Sequence, residues 1–132
     1  MPKIAIVTDS TAGLPRNLVE QYGIHVVPQQ LHWGEETFLD GVTIDAPTFH
    51  ERLGRSAEIP TTSGVSVRDF VAVLSDLAGG NDGVVGVFMS SKMSGTFTSA
   101  LSAREYLPTL PFEPIDSRST SMGLGFVALA AA

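Results

Sequence analysis

Continuous apolar runs alternate along the chain with segments whose apolar residues recur at helical spacing. Residues 4–7 and 84–89 are continuous apolar runs, which is typical of strands that are buried on both faces of a parallel sheet. Between them lies a stretch whose apolar side chains fall on one helical face, namely Val67, Phe70, Val71, Leu74 and Leu77. The pattern predicts strands and helices in alternation.

Cap and turn residues mark where the predicted helices begin and end. Pro15 suits the first turn of a helix, and Gly23 suits the left-handed position that ends it. Asp45 can cap a second helix, and Ser66 with Asp69 resembles a capping pair for a third. Two more helices are predicted, one after the polar segment SSKMSGT and one after RSTSM.

The remaining segments complete the predicted architecture. Residues 24–33 predict a second strand with Pro28 at an edge or bulge, and residues 34–44 predict a turn with short extended segments. Residues 60–64 predict an extended loop, and residues 112–117 predict a short strand before a final apolar helix. The order favours an α/β fold with a mainly parallel sheet sandwiched by helices.

Composition narrows the class of protein. The 132 residues fit one domain and include no cysteine, which excludes disulfides, thiolate metal sites and a cysteine nucleophile. A net charge of −6, without clustered Lys or Arg, argues against nucleic acid as a partner. The sequence has no signal peptide and no apolar run that could span a bilayer, so we expect no stable membrane insertion and a cytoplasmic location. Because the chain stops inside the apolar segment MGLGFVALAAA, we expect the natural protein to continue.

Hydroxyl side chains concentrate where strands or extended segments give way to helices. Four such junctions read TDST, PTTSG, SSKMSGT and DSRSTS. The carboxyl ends of parallel strands share one edge, and helix N-termini at that edge offer N–H groups to an anion. Together with the hydroxyls they predict an uncharged cradle, in which Gly95 lets the backbone approach the anion closely.

Helix capping alone is the competing interpretation, since Ser and Thr caps stabilise helices by about 1 kcal/mol each. A cap needs one hydroxyl, whereas two junctions carry a surplus: Ser90, Ser91, Ser94 and Thr96 at one, and Thr61, Thr62 and Ser63 at the other. This surplus favours a ligand.

No catalytic or metal-binding pattern accompanies the hydroxyls. The chain lacks a phosphate-binding loop and a Gly-x-Ser-x-Gly elbow, and no motif ties its three histidines to the clusters. Residues 123–128 match a dinucleotide fingerprint in spacing only, and we predict that their glycines serve helix packing. Asp9 and Asp116 end strands, where they could serve as general bases, but we predict that they cap loops or orient hydroxyls. We therefore predict no catalytic residue, no metal and no cofactor.

Six segments together resemble the DegV family: KIAIVTDSTAGLP, YGIHVVP, DGVTI, PTTS, SSKMSGTFTSA and DSRSTSMGLG, in this order and at similar spacing. The resemblance covers nearly the whole chain. It implies an EDD-type α/β fold in which a long-chain fatty acid lies in an apolar tunnel and its carboxylate meets hydroxyl groups. It also implies a non-catalytic subunit of a bacterial fatty acid kinase, which presents the carboxylate for acyl-phosphate formation in phospholipid synthesis.

The resemblance assigns roles to particular residues. Thr62, with Thr61, and Ser94 are expected to contact the carboxylate, and the cradle is completed by Ser63, Ser91, Gly95 and Thr96. Supporting positions at the same edge are Thr8, Asp9, Ser10, Asp116 and Ser117. Candidates for the tunnel lining are Val65, Phe70, Phe88, Met89, Met93, Phe97 and Met122, although for any one of them an ordinary core position is the more expected role.

The chain departs from the family in two ways. Where the family continues PTTS with Gln-Pro-Ser, this chain has Gly64-Val65-Ser66, from which we expect a looser loop. Family members are also about twice as long and have two domains, so residues 1–132 are expected to form the N-terminal domain, with the second domain absent from this chain.

Two other functions stay open at this point. The same cradle could serve an enzyme, a phosphotransferase or hydrolase acting on a phosphorylated small molecule. Alternatively, the chain could be a structural remnant whose apolar surface pairs with another chain.

Overall fold

The structure, a computed structural model, describes residues 1–132. The strands are β1 (Ile4–Asp9), β2 (His25–Val27), β3 (Gln30–Trp33), β4 (Glu36–Leu39), β5 (Thr61–Ser63), β6 (Gly83–Phe88) and β7 (Phe112–Asp116). The helices are α1 (Arg16–Tyr22), α2 (Ala46–Leu53), α3 (Val67–Ala78), α4 (Thr96–Arg104) and α5 (Ser121–Ala131). None of the helices is both long enough and apolar enough to cross a membrane.

Four strands form a wholly parallel sheet in the order β2-β1-β6-β7. The register pairs Thr8 with Val87 and Phe88 with Asp116, so the carboxyl ends of the three adjacent strands lie level along one edge. Helices cover both faces, which confirms the predicted α/β class.

Alternate residues of β6 divide the core between the two faces of the sheet. Val84 and Phe88 belong to the main core, which α3 and α4 cover, and the Phe88 ring meets Phe70 edge-on with centroids 5.0 Å apart. Val87 lies on the other face and packs against Leu124 of α5. The continuous apolar run predicted this burial on both faces.

A second, antiparallel sheet in the order β4-β3-β5 was not predicted. Residues 24–33 do not form one strand. The extended segment is interrupted at Pro28, and the two strands on either side, β2 and β3, join different sheets. Residues 61–63 form a strand that pairs with β3, where the sequence predicted a loop. Trp33, with Leu31 and Ile44, forms a small core for this sheet.

The predicted helix boundaries are confirmed where capping chemistry specified them. Asp45 accepts a bond of 2.8 Å from the Thr48 N–H, and Ser66 accepts one of 3.1 Å from the Asp69 N–H. Gly23 ends α1 with φ of 61°. Gly125 is a packing glycine as predicted, since a Cβ there would lie 2.8 Å from the carbonyl oxygen of Ala12.

Candidate ligand-binding site

The hydroxyl-rich junctions meet at the carboxyl edge of the parallel sheet. Three of them directly follow β1, β6 and β7. The fourth contains β5 of the small sheet, and it joins the others because the Val65 N–H donates a bond of 3.3 Å to Thr96 Oγ1. Segments distant in sequence therefore converge in one place.

A cavity of about 360 Å³ opens between the two sheets at this edge. Its walls are formed by Thr11, Gln29, Leu31, Asp40, Phe49, Thr62, Met89, Met93 and Ser94. Thr62 on β5 and Ser94 in the loop between β6 and α4, the residues expected to contact a carboxylate, thus line the same cavity. The volume lies near the lower end of the range for small-molecule sites, about 300–1,000 Å³.

The cavity combines apolar walls with neutral hydrogen-bonding groups. Its only charged lining residue is Asp40, and no Lys, Arg or His lines it. An anion held here would therefore depend on hydroxyl and amide donors. The N-terminal end of α4, just after Ser94 and Gly95, adds the positive end of a helix dipole.

Thr96 connects Ser94 to the interior. The two hydroxyl oxygens are 2.9 Å apart, and the Thr96 N–H donates to Ser94 Oγ over 3.2 Å. Thr96 is completely buried, and its Oγ1 accepts a bond of 3.0 Å from the side-chain amide of Gln29. Thr96 therefore supports Ser94 from beneath and does not line the cavity itself.

Gly64, which was expected to loosen its loop, packs closely against the neighbouring junction. A Cβ on Gly64 would lie 2.8 Å from Thr96 Oγ1 and 3.0 Å from Ser94 Oγ. The backbone thus packs directly against both hydroxyls, and Val65 bonds to Thr96. These close contacts argue against the looser loop that the sequence suggested.

Two residues of the PTTSG segment point away from the cavity. Side chains alternate along a strand, so Thr62 shares the face of its partner Leu31, while Thr61 and Ser63 share the opposite face with His32. Ser63 Oγ lies 2.9 Å from His32 Nε2, which confirms this orientation. The structure does not bring Thr61 or Ser63 to the cavity.

Ser91 belongs to the junction after β6, but its partner Asp116 lies at the neighbouring junction, at the end of β7. Its N–H donates to Asp116 Oδ1 over 3.3 Å. The Ser91 hydroxyl is the main cause of a pKa of Asp116 below its ordinary value, followed by the Arg118 N–H. Ser91 therefore does not join Ser94 at the cavity. Ser117 supports the same loop by accepting a bond of 3.1 Å from the Ser119 N–H.

Gly95 is exposed, with φ of −76°, and a Cβ would meet nothing within 4 Å. Its conformation does not require glycine. Gly95 is not among the residues that line the cavity, and its role in the cradle stays a prediction.

The supporting residues fix the floor of the site. Asp9 is fully buried; its Oδ2 accepts a bond of 2.9 Å from the Met89 N–H, and its Oδ1 accepts from the hydroxyl and the N–H of Thr11. Ser10 Oγ accepts the Gln29 N–H over 3.0 Å. Thr8 is buried one residue earlier, and its hydroxyl has no partner.

The apolar lining differs from the expected one. Met89 and Met93 line the cavity as expected. Val65, Phe70, Phe88 and Phe97 pack in or against the main core, and Met122 lies on α5. Sequence reasoning missed Thr11, Gln29, Leu31, Asp40 and Phe49. Leu31 and Trp33 alternate with polar residues, which is the pattern of a half-buried strand. Leu31 could have been assigned to the cavity if Pro28 had been recognised as the boundary between two strands.

Comparison with known proteins agrees with the fold. The DegV family, described as uncharacterised, matches residues 3–132. DegV of Bacillus subtilis is 38% identical over 129 residues, which are 98% of this chain and 46% of that protein. The chain belongs to the DegV family.

Solved structures extend the comparison. The Bacillus subtilis protein, described as a fatty acid binding protein, matches with a TM-score of 0.95 at 37% identity, over 99% of this chain and 46% of that one. A fatty-acid-binding DegV family protein from Thermus thermophilus matches with a TM-score of 0.88 at 32% identity, over 98% and 46%. A stearic acid-binding protein from Eubacterium ventriosum matches with a TM-score of 0.84 at 25% identity, over 96% and 45%. The chain thus spans about half the length of the relatives it matches.

Proposed function

We propose that the chain binds a long-chain fatty acid, with the carboxylate at Thr62 and Ser94 and the acyl chain against the apolar walls of the cavity. The observation that carries this proposal is the convergence of the two hydroxyls in one cavity beside Leu31, Phe49, Met89 and Met93. Relatives described as fatty acid binding proteins share the fold. A carboxylate accepts several hydrogen bonds, which suits hydroxyl donors.

The two parts of the ligand contribute differently to binding. Burial of a C16 tail contributes on the order of 10 kcal/mol, at about 0.8 kcal/mol per methylene group, before the costs of association. Hydroxyl donors add about 1 to 3 kcal/mol each where a charged acceptor is desolvated. The tail therefore supplies most of the affinity, and the hydroxyls fix the direction in which it lies.

The proposal extends to the role of the whole protein. We infer a cytoplasmic, non-catalytic lipid-binding protein that presents the carboxylate to the catalytic subunit of a fatty acid kinase, which forms an acyl phosphate for phospholipid synthesis. Because the chain spans about half the length of its relatives, this role includes a second domain that completes the cavity.

Organic extraction of the purified protein, followed by mass spectrometry, tests the proposal. We expect a co-purifying fatty acid, and a higher melting temperature when palmitate or oleate is added to delipidated protein. Absence of lipid together with no thermal shift would overturn it. Turnover of a phosphate ester that disappears in Ser94→Ala would favour the phosphotransferase or hydrolase instead.

A further inference from the structure

Gln29 is a buried polar residue in the wall of the cavity. It lies in the connection between β2 and β3 and is 5% exposed. Its backbone N–H bonds to Ser10 Oγ, and its side chain reaches Thr96 and Met89. A buried amide with this many partners is held in a single orientation.

The partners determine which way the Gln29 amide faces. Met89 Sδ lies 3.7 Å from the amide, and a thioether sulfur only accepts hydrogen bonds. The NH₂ group must therefore point toward Met89, which also places it 3.0 Å from Thr96 Oγ1. Gln29 donates to Thr96.

This donation fixes the direction of the next hydrogen bond. A hydroxyl has one hydrogen and two acceptor sites. Both acceptor sites of Thr96 Oγ1 are filled, by the Gln29 amide at 3.0 Å and the Val65 N–H at 3.3 Å. Its hydrogen then goes to Ser94 Oγ at 2.9 Å, since the alternative acceptor, Gln29 Oε1, is 3.4 Å away.

The same count of acceptor sites applies to Ser94. Ser94 Oγ accepts from the Thr96 hydroxyl and from the Thr96 N–H at 3.2 Å, so both of its acceptor sites are filled. Ser94 lines the cavity, and its own hydrogen is left for a group in that cavity. Thr11, another hydroxyl in the wall, cannot do the same because it donates to Asp9.

We propose that Gln29 is a positioning residue: by donating to Thr96, it prevents Ser94 from turning its hydrogen inward and holds that hydrogen toward the ligand. The site is thereby set to recognise a head group that accepts a hydrogen bond without donating one, which is a carboxylate. This inference rests on the proposed fatty acid function and names the residue that orients its head-group contact.

A double-mutant cycle with palmitate and hexadecanol tests the inference on the full chain. Gln29→Met keeps the length of the side chain but removes the donor. We expect palmitate affinity to fall about threefold to tenfold, while hexadecanol affinity changes less than about twofold, since an alcohol can donate to Ser94 as well as accept from it. In a Ser94→Ala background, Gln29→Met should change palmitate affinity by less than about twofold.

Gln30→Met is the matched control. Gln30 is the adjacent residue, and its amide bonds to Asp69 at 3.3 Å outside the cavity. We expect it to leave the ratio of palmitate to hexadecanol affinity unchanged. A purely structural effect of Gln29→Met would lower both affinities together and persist in the Ser94→Ala background, and either result would overturn the positioning role.

Neutron diffraction from deuterated wild-type crystals provides a test that needs no variant. The expected result is a deuterium on Thr96 Oγ1 directed at Ser94 Oγ, and one on Ser94 Oγ directed into the cavity. A Ser94 deuterium directed at Thr96 would contradict the inference while leaving fatty acid binding intact. Failure of the wild-type protein to bind palmitate would instead remove the proposed function and this inference with it.

Discussion

A hydroxyl carries one hydrogen, and the partner of that hydrogen separates structural serines and threonines from those available to a ligand. Ser66 gives its hydrogen to Asp69 Oδ2 over 2.7 Å, and Thr11 donates to Asp9. The Ser91 hydroxyl lowers the pKa of the neighbouring Asp116. The hydroxyls that face the cavity without such an acid are those of Ser94 and Thr62. The abundance of hydroxyls in the sequence therefore overstates the size of the binding set.

Ser94→Ala is expected to weaken palmitate binding by about 1 to 3 kcal/mol, because the carboxylate loses a donor in a partly desolvated site. Isothermal titration of delipidated protein measures this change. Thr98→Ala, on the exposed side of α4, is the control and should leave affinity unchanged. Equal affinities for wild type and Ser94→Ala would show that the carboxylate lies elsewhere.

Asp40→Asn is expected to tighten palmitate binding by about twofold to fivefold at low ionic strength, since it removes the one like charge from the cavity lining. The gain should shrink as salt is added. Asp76→Asn, an exposed acid on α3, controls for net charge. A gain of the same size in Asp76→Asn would mean that the effect is not local.

The lowered pKa of Asp116 predicts that the stability of the protein depends on pH. The pKa of Asp116 is lowered in the folded state, first by Ser91 and then by Arg118. Its contribution to stability is therefore present above the unfolded pKa of about 3.9, and it is lost as pH falls through the lower pKa of the folded state. Because the carboxylate is largely solvated, the contribution should be below about 1 kcal/mol. Urea unfolding of wild type and Asp116→Asn should differ at pH 6 and converge toward pH 2. A difference that does not change with pH would contradict this.

At the scale of elements, the close packing of α5 depends on Gly125. Alanine normally stabilises a helix by about 1 kcal/mol relative to glycine. At Gly125 we expect Gly→Ala to destabilise the protein by about 1 to 3 kcal/mol instead, because the new Cβ would lie 2.8 Å from the Ala12 carbonyl oxygen. Chemical denaturation measures the change in the free energy of unfolding.

Gly123→Ala is the matched control in the same helix. The nearest atom to its Cβ would be Ser119 Oγ, which can rotate away. We expect this substitution to be neutral or stabilising. If both substitutions stabilise the protein, the Gly125 contact does not hold α5 in place.

The sequence predicted strands and helices well where a local pattern, a buried apolar run or a capping residue, determined them. Buried runs located β1 and β6, and capping residues located the starts of α2 and α3. It failed where long-range pairing decided the outcome. Thr61 to Ser63 have no strand pattern of their own and become a strand because β3 pairs with them. Pro28 interrupts an apolar stretch in which the two flanking strands join different sheets.

At the scale of the whole molecule, the shared edge was predictable and the cavity was only partly so. Parallel strands bring the segments after β1, β6 and β7 to one edge whatever their sequence. The second wall comes from the small sheet, which was not predicted, and with it come Leu31 and Phe49. Gln29 belongs to no motif, and its role follows only from the contact with Thr96 across 67 residues of sequence.

The most direct test of the account is a crystal structure of the protein with palmitate bound. We predict the carboxylate within about 3 Å of both Ser94 Oγ and Thr62 Oγ1, with the tail running along Leu31, Phe49 and the two cavity methionines. Palmitate bound with its carboxylate at Ser91 and Asp116, or away from both predicted hydroxyls, would contradict it.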